Sequence, residues 1–167
     1  MNATRRLPSC LLVLSATFGA VSCGNPPAPS SPAGTVAAAE NPLAGTSWLL
    51  SSVDRAGQVF VPAQAPNETP HLRFLSDQDQ VGSPILEAFG GCNMGGGIYR
   101  TDGSALQILD LAWTEKGCLG EGVMVLETAF LRSLVSASSF ALSEVAGVDY
   151  LKIFFADGQM TLVLDPR

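Results

Sequence analysis

The stretch from Asp149 to Asp165, "DYLKIFFADGQMTLVLD", constrains the fold of this chain more than any other. Asp157-Gly158 is a two-residue turn signal between two alternating runs. Taken as the loop, it pairs Phe155 with Met160, Ile153 with Leu162, and Leu151 with Leu164. All six side chains then share one face, and Lys152, Phe154, Thr161 and Val163 take the other. A slip of one residue would mix the faces, so turn and pattern specify the same antiparallel hairpin.

The segments before this hairpin carry a similar rhythm. Thr46 to Val53 ("TSWLLSSV") is rich in strand formers, and Arg55-Ala56-Gly57 turns the chain so that Gln58 to Val61 can pair back. His71 to Ser76 alternates, with Leu72 and Phe74 on one face. Gly97 to Asp102 ends in the hairpin signal Asp102-Gly103, and Ala105 to Thr114 follows it. Ser139 to Val145 reads as a further strand. One segment breaks the pattern. In Glu121 to Ser136, Val123, Leu126, Phe130 and Leu134 recur at helical spacing. Glu121 at its start and Arg132 near its end suit the helix dipole. The domain is therefore expected to be mainly β, with one helix covering the mouth or face of a curled sheet.

The chain begins with an address. Arg5 and Arg6 precede the apolar run Leu11 to Val21, which is too short to span a bilayer as a mature helix. It ends in Ala20-Val-Ser-Cys23, which resembles the lipobox of bacterial lipoproteins. That resemblance implies cleavage before Cys23 and lipidation of its thiol. Ala20 stands where the lipobox usually has Leu, and an ordinary signal cut near the same place is the alternative. Gly24 to Pro42 is rich in Pro, Ala and Ser and has no aromatic residue or apolar period. It cannot bury enough surface to offset its ordering entropy. It reads as a tether of about 20 residues, spanning on the order of 25 Å as a coil. The expected organisation is a signal peptide over 1–22, a tether over 23–42 and one folded domain over 43–165.

Removing the signal removes Arg5 and Arg6, so seven basic residues face fifteen acidic ones and the balance is about −8. No cluster of Lys or Arg is present, which argues against a nucleic-acid partner. The acids are scattered and read as a solvated surface. Asn67-Glu-Thr fits a glycosylation sequon, but beside a bacterial lipobox it carries no weight. Of four cysteines, Cys10 lies in the signal and Cys23 is the candidate lipid site. Cys92 and Cys118 remain, an even pair in an exported domain, and are expected to form a disulfide. Closing a loop of about 25 residues stabilises a fold by roughly 3–4 kcal/mol in the chain-entropy model.

Phe89 to Arg100, "FGGCNMGGGIYR", is the stretch that bears on chemistry. A phosphate-binding loop ends in Gly-Lys-Ser/Thr and runs into a helix. Here a strand pattern follows and no Lys is present. A cysteine nucleophile needs a base, and His71 is the only histidine. No third residue orients such a dyad, and Cys92 has a competing partner in Cys118. Two cysteines and one distant histidine fall short of a zinc site. No carboxylate pair is singled out as a glycosidase acid and base. The structural reading remains. Gly90 and Gly91 bend the chain into Cys92, Asn93 adopts left-handed geometry or bonds neighbouring backbone, and Gly95 to Gly97 lead into the next strand. Trp48, Trp113 and Phe130 are core candidates, with the lining of a barrel mouth against an apolar ligand as the alternative.

Taken in order, "LAGTSWLL", "GCN" followed by "GIY", a Thr114-x-x-x-Cys118 spacing, a Glu127-x-x-Phe130-Leu131-x-x-Leu134 helix and the closing hairpin resemble the META domain, the HslJ-like family of small exported bacterial proteins. The resemblance covers Leu43 to Asp165. It implies a small, incompletely closed antiparallel β-barrel or β-roll capped by an inserted α-helix. It also implies a cell-envelope setting, frequent lipoprotein status and, in one branch, stress induction and antibiotic tolerance. It brings no catalytic residue set. Two departures stand out. Ser83 to Phe89 ("SPILEAF") looks like an insertion before the GCN turn, and Lys116-Gly-Cys118 replaces the family's usual Met-Ala-Cys.

The expectation for function is a non-catalytic envelope module, with no cofactor and no metal. It is held to a membrane through Cys23 and binds an unknown envelope protein or lipid. It faces the periplasm or exterior, at the outer membrane in a two-membrane cell, since Gly24 rather than Asp follows Cys23. The alternative is a carrier of an apolar ligand or lipid, with its pocket between helix and sheet. A cavity under the helix favours the carrier, and a filled core with an exposed apolar patch favours the binding module.

Overall fold

A computed structural model describes residues 41–62, 69–79, 81–120 and 122–166. The signal segment, Cys23, the tether up to 40, Asn67 and Glu121 lie outside the described residues. Nine strands and one helix follow in order: β1 (Thr46–Arg55), β2 (Gln58–Phe60), β3 (His71–Gln78), β4 (Pro84–Phe89), β5 (Met94–Asp102), β6 (Ala105–Trp113), α1 (Val123–Val135), β7 (Ala137–Val145), β8 (Val148–Phe155) and β9 (Gly158–Leu164). All pairings are antiparallel. The sheet runs β1-β3-β4-β5-β6-β7-β8-β9 and closes through β1–β9, an eight-stranded barrel with β2 as an extra strand on β1. Closure is uneven, because β6 meets β7 at the single register pair Ala105↔Ser139.

Alternation places the core. Leu72 and Phe74 of β3, Leu86 and Ala88 of β4, Tyr99 of β5, and Leu151, Ile153, Met160 and Leu162 of the closing hairpin point inward and are buried. Phe74 meets Tyr99 edge-on, with ring centroids 4.9 Å apart. α1 lies across one mouth, packed on β1, β6 and β9. Its stripe Leu126, Phe130 and Leu134 is buried as its spacing requires, while Val123 is only half-buried. Gly122 caps its start in the left-handed region without a side-chain hydrogen bond.

Two expectations are corrected here. Ser83 to Phe89, expected as an insertion that leaves the local register open, does not stand outside the sheet. Pro84 to Phe89 forms β4, an integral barrel strand between β3 and β5, and Leu86 and Ala88 supply its inward face. The closing hairpin keeps its apolar face but sits two residues out of the expected register: Phe155 pairs with Gly158, Ile153 with Met160 and Leu151 with Leu162. The loop is Ala156-Asp157. Gly158 lies in strand geometry, and its glycine has another cause: an added Cβ would overlap the Asp54 carbonyl oxygen of β1.

Candidate functional site

The glycine-rich turn joins β4 to β5 and is the most heavily cross-linked part of the molecule. Gly91, at φ 103°, makes the reversal that no β-carbon residue takes easily. Asn93 is 2% exposed and all its side-chain capacity is used. Its Nδ2 donates to Glu127 Oε1 at 2.7 Å and to the Lys116 carbonyl at 3.0 Å. Its Oδ1 accepts from the Lys116 N–H at 2.7 Å and from Thr114 Oγ1 at 3.0 Å. One amide thus joins the turn, the loop after β6 and α1. Asn93 does not adopt left-handed geometry; bonding to neighbouring backbone is the role it takes.

Glu127 completes the junction. It is 4% exposed, so it does not belong to the solvated acidic surface where its charge had placed it. Its Oε2 accepts the backbone N–H of Asn93 at 2.7 Å and of Cys92 at 3.3 Å. With three donors converging on it, the carboxylate holds the turn against the helix, as a buried acceptor must. The sequence carries one sign of this: Glu127 lies three residues before Phe130 and seven before Leu134, on the buried stripe. Cys92 and Cys118 form a disulfide across the same junction, with Cα atoms 6.0 Å apart.

The glycines follow from close packing. Gly95 lies inside β5 opposite Trp113 of β6, and its added Cβ would strike the indole ring. A Cβ on Gly90 would come within 2.7 Å of the Glu127 side chain and 2.9 Å of Trp113. Gly95, Gly96 and Gly97 are therefore strand residues of β5, not a lead into it. Trp113 is partly buried, and Trp48 and Phe130 are core residues.

His71 is on β3, where its Nδ1 lies 3.1 Å from the Thr69 carbonyl oxygen and its ring leans on Phe89 at 5.4 Å. Cys92 is in the disulfide, so the two do not form a thiol–imidazole pair. Among the described residues no three His, Cys, Asp or Glu side chains gather as metal ligands. Tyr99 is fully buried. That burial pushes its phenol above the ordinary tyrosine value, and the hydrogen bond from Asn41 Nδ2 at 2.9 Å opposes the shift.

Two grooves flank α1, and Met124, Thr128 and Arg132 line both, so the helix stands as a ridge between them. The larger, about 500 Å³, runs between the helix and the β1–β2 hairpin over Phe60 and Ala129. Met124 and Val125 are 37% and 58% exposed along it. Arg55, paired with Asp157 at 2.9 Å, closes its far wall.

Comparison with known proteins agrees with this architecture. The chain is similar to a protein from Burkholderia xenovorans solved by NMR, with a TM-score of 0.62 and 23% identity over 75% of this chain and 85% of that one. A second NMR structure aligns with a TM-score of 0.52 and 18% identity over 72% and 89% of the two chains. At these identities the likeness shows the fold alone. No relative was found among curated proteins. The META domain model matches residues 41–165. That span takes in the barrel, the capping helix and the Gly91-Cys92-Asn93 turn, and the chain belongs to the META domain family.

Proposed function

We propose that this protein is a lipid-anchored module of the cell envelope that acts by binding and not by catalysis. Cys23 carries the lipid, and the domain faces the periplasm or exterior, at the outer membrane in a two-membrane cell. Its partner is an envelope protein or lipid, and the contact supports envelope integrity under stress. The observation that carries the reading is the filled space under α1 beside an exposed apolar groove. Phe130 and Leu134 are fully buried, whereas Met124 and Val125 remain open to solvent. The groove between α1 and the β1–β2 hairpin is lined by solvent-exposed Met124 and Val125, which supports an open contact surface over an enclosed carrier cavity. An apolar patch rimmed by Arg55, Thr128 and Arg132 has the character of an interaction surface.

Val125→Glu tests this directly. It should leave the melting temperature unchanged and abolish the envelope-stress phenotype of the gene, whereas His71→Ala should leave that phenotype intact. Loss of function in His71→Ala at unchanged stability would overturn the reading. The anchor is tested separately. An alkyne fatty acid should label the wild type in cells and not Cys23→Ser, and absence of label from both would leave an ordinary exported protein.

A further inference from the structure

The mouth of the barrel away from α1 carries a surface of a different kind. β7 and β8 are joined by Ala146-Gly147, both at positive φ (53° and 78°), the geometry of a type I′ turn. Its closing pair is Val145↔Val148. In such a hairpin the pair beside the loop exchanges both hydrogen bonds. Val145, Ser143 and Ala141 therefore aim their backbone groups at β8, while Glu144, Leu142 and Phe140 aim theirs outward. The Phe140 N–H finds the Ser104 carbonyl there at 2.8 Å. Beyond that point β6 has ended, and among the described residues no backbone partner meets the outer side of Leu142 or Glu144. Edge strands are usually blunted by Pro, Lys, a bulge or an inward-pointing charge, and Ala141 to Val145 has only the last of these, Glu144.

The side chains of this edge are as distinctive as its backbone. Leu142 lies opposite Leu151 and Glu144 opposite Asp149, so all four are on the core-facing side of the hairpin. The hairpin projects past the core, and Leu142 is 43% exposed. Beneath it is a pocket of about 410 Å³, floored by Trp48 and Leu164 and rimmed by Leu142, Glu144 and Asp149. Two carboxylates directly opposite each other weaken a hairpin. Here they flank an apolar pocket beside unpaired backbone.

We propose that the outer edge of β7 takes up an extended segment of a partner protein by strand addition, and that this segment carries an apolar residue and a Lys or Arg two positions apart. Main-chain hydrogen bonds to Leu142 and Glu144 supply the pairing. Side chains of an added strand that lie on one face are two residues apart, as Leu142 and Glu144 are. One therefore enters the pocket against Trp48 and Leu142, and the other meets Glu144 and Asp149. Charge selects this occupant over two others. A second copy pairing antiparallel about Ser143 would set each Leu142 against the other copy's Glu144 and bring four carboxylates onto one face. The chain's own Gly24 to Pro42 segment ends at this pocket, which Pro42 helps to line, but it contains no basic residue to meet Glu144 and Asp149.

The probe is a dye-labelled peptide with Lys-Thr-Val-Thr-Lys at its centre, which meets the rule in either strand direction. Fluorescence anisotropy with the full-length protein should show saturable binding. A Glu-Thr-Val-Thr-Glu peptide should bind at least tenfold more weakly. Leu142→Pro removes an outward N–H that β8 does not use, and should weaken the basic peptide at least tenfold with the circular dichroism spectrum unchanged. If that variant unfolds, the double variant Glu144→Lys, Asp149→Lys decides, because it should reverse the preference toward the acidic peptide. Hydrogen exchange at the Leu142 and Glu144 amides should slow on peptide addition. Equal binding of both peptides, no binding of the basic one, or protection of those amides by dimerisation alone would overturn the site. Binding that survives Leu142→Pro but is lost in Val125→Glu would overturn it too, and would leave the helix groove standing.

Discussion

The two ends of this barrel are built on opposite plans. Under α1, three segments far apart in sequence are joined by a disulfide, a saturated asparagine amide and a buried carboxylate with three donors. At the other end the β7–β8 hairpin runs past its neighbours, paired on one side only among the described residues, with two like charges opposed near its tip. The first arrangement holds a small barrel shut where β6 and β7 scarcely meet. The second leaves backbone and apolar surface available. Cross-linking at one mouth offsets openness at the other, so a change at each end should read out differently.

The largest effect is expected at the disulfide. Cys92→Ala should lower unfolding stability by about 2–5 kcal/mol, the usual loss for a native bridge in a small exported domain. Urea denaturation checks the value, and mass spectrometry of a non-reduced digest should show the two cysteine peptides of the wild type linked. The hairpin should be indifferent to this loss until the whole domain melts. Early exchange of β7–β8 amides in Cys92→Ala would mean that the two ends are coupled more tightly than their pairing suggests.

Glu127→Ala should come next, at about 1–3 kcal/mol, because it removes the acceptor of the Asn93 backbone and side-chain N–H groups. The Asn93 backbone amide should then lose hydrogen-exchange protection while Leu142 and Glu144 remain as they were. An equal loss at both ends would show that Glu127 supports the barrel globally.

What could be read from the sequence divides along the same line. Period-two and helical patterns identify the strands and α1, because burial of one face is a local property of sequence. The glycines misled. Gly158 resembles a turn residue, yet its cause is the Asp54 carbonyl of β1, about a hundred positions away. Gly95 resembles a loop residue, yet its cause is the indole of Trp113 across the ladder. Pro84 to Phe89 does not read as a strand in the sequence, since β4 is short and begins with a proline. Glu127 passed for a surface acid because no sequence rule connects it to Asn93. The cysteine pair was legible from its even count and the expectation of export, whereas the GCN turn was visible as a motif but not as a junction. The open edge of β7 was invisible, since a strand does not record where its neighbour stops.

Tyr99 should give a smaller effect, visible only in alkali. Its folded-state pKa is raised, chiefly by burial, with the Asn41 hydrogen bond acting against it. The neutral phenol is thus favoured in the fold. The corresponding stability is fully present below the ordinary tyrosine pKa of about 10 and is lost as pH rises through the folded value. Wild-type stability should fall over that window, and Tyr99→Phe should flatten the fall. An identical slope in the variant would place the alkaline loss elsewhere.

The smallest expected effect has the opposite sign. Glu144 and Asp149 face each other in a register pair that does not exchange hydrogen bonds, where side chains lie closest. Asp149→Asn removes one charge and keeps the shape. It should stabilise the domain by about 0.2–1 kcal/mol at low ionic strength, the range for such cross-strand pairs. The gain should shrink as salt shortens the screening length. At the α1 end, by contrast, each buried polar atom of Asn93 and Glu127 already has its partner, so removing either charge or amide there should destabilise. If Asp149→Asn destabilises the domain instead, the carboxylate has a structural partner in the hairpin. The acidic pair would then belong to the fold, and the selectivity assigned to the β7 edge would have to come from the pocket alone.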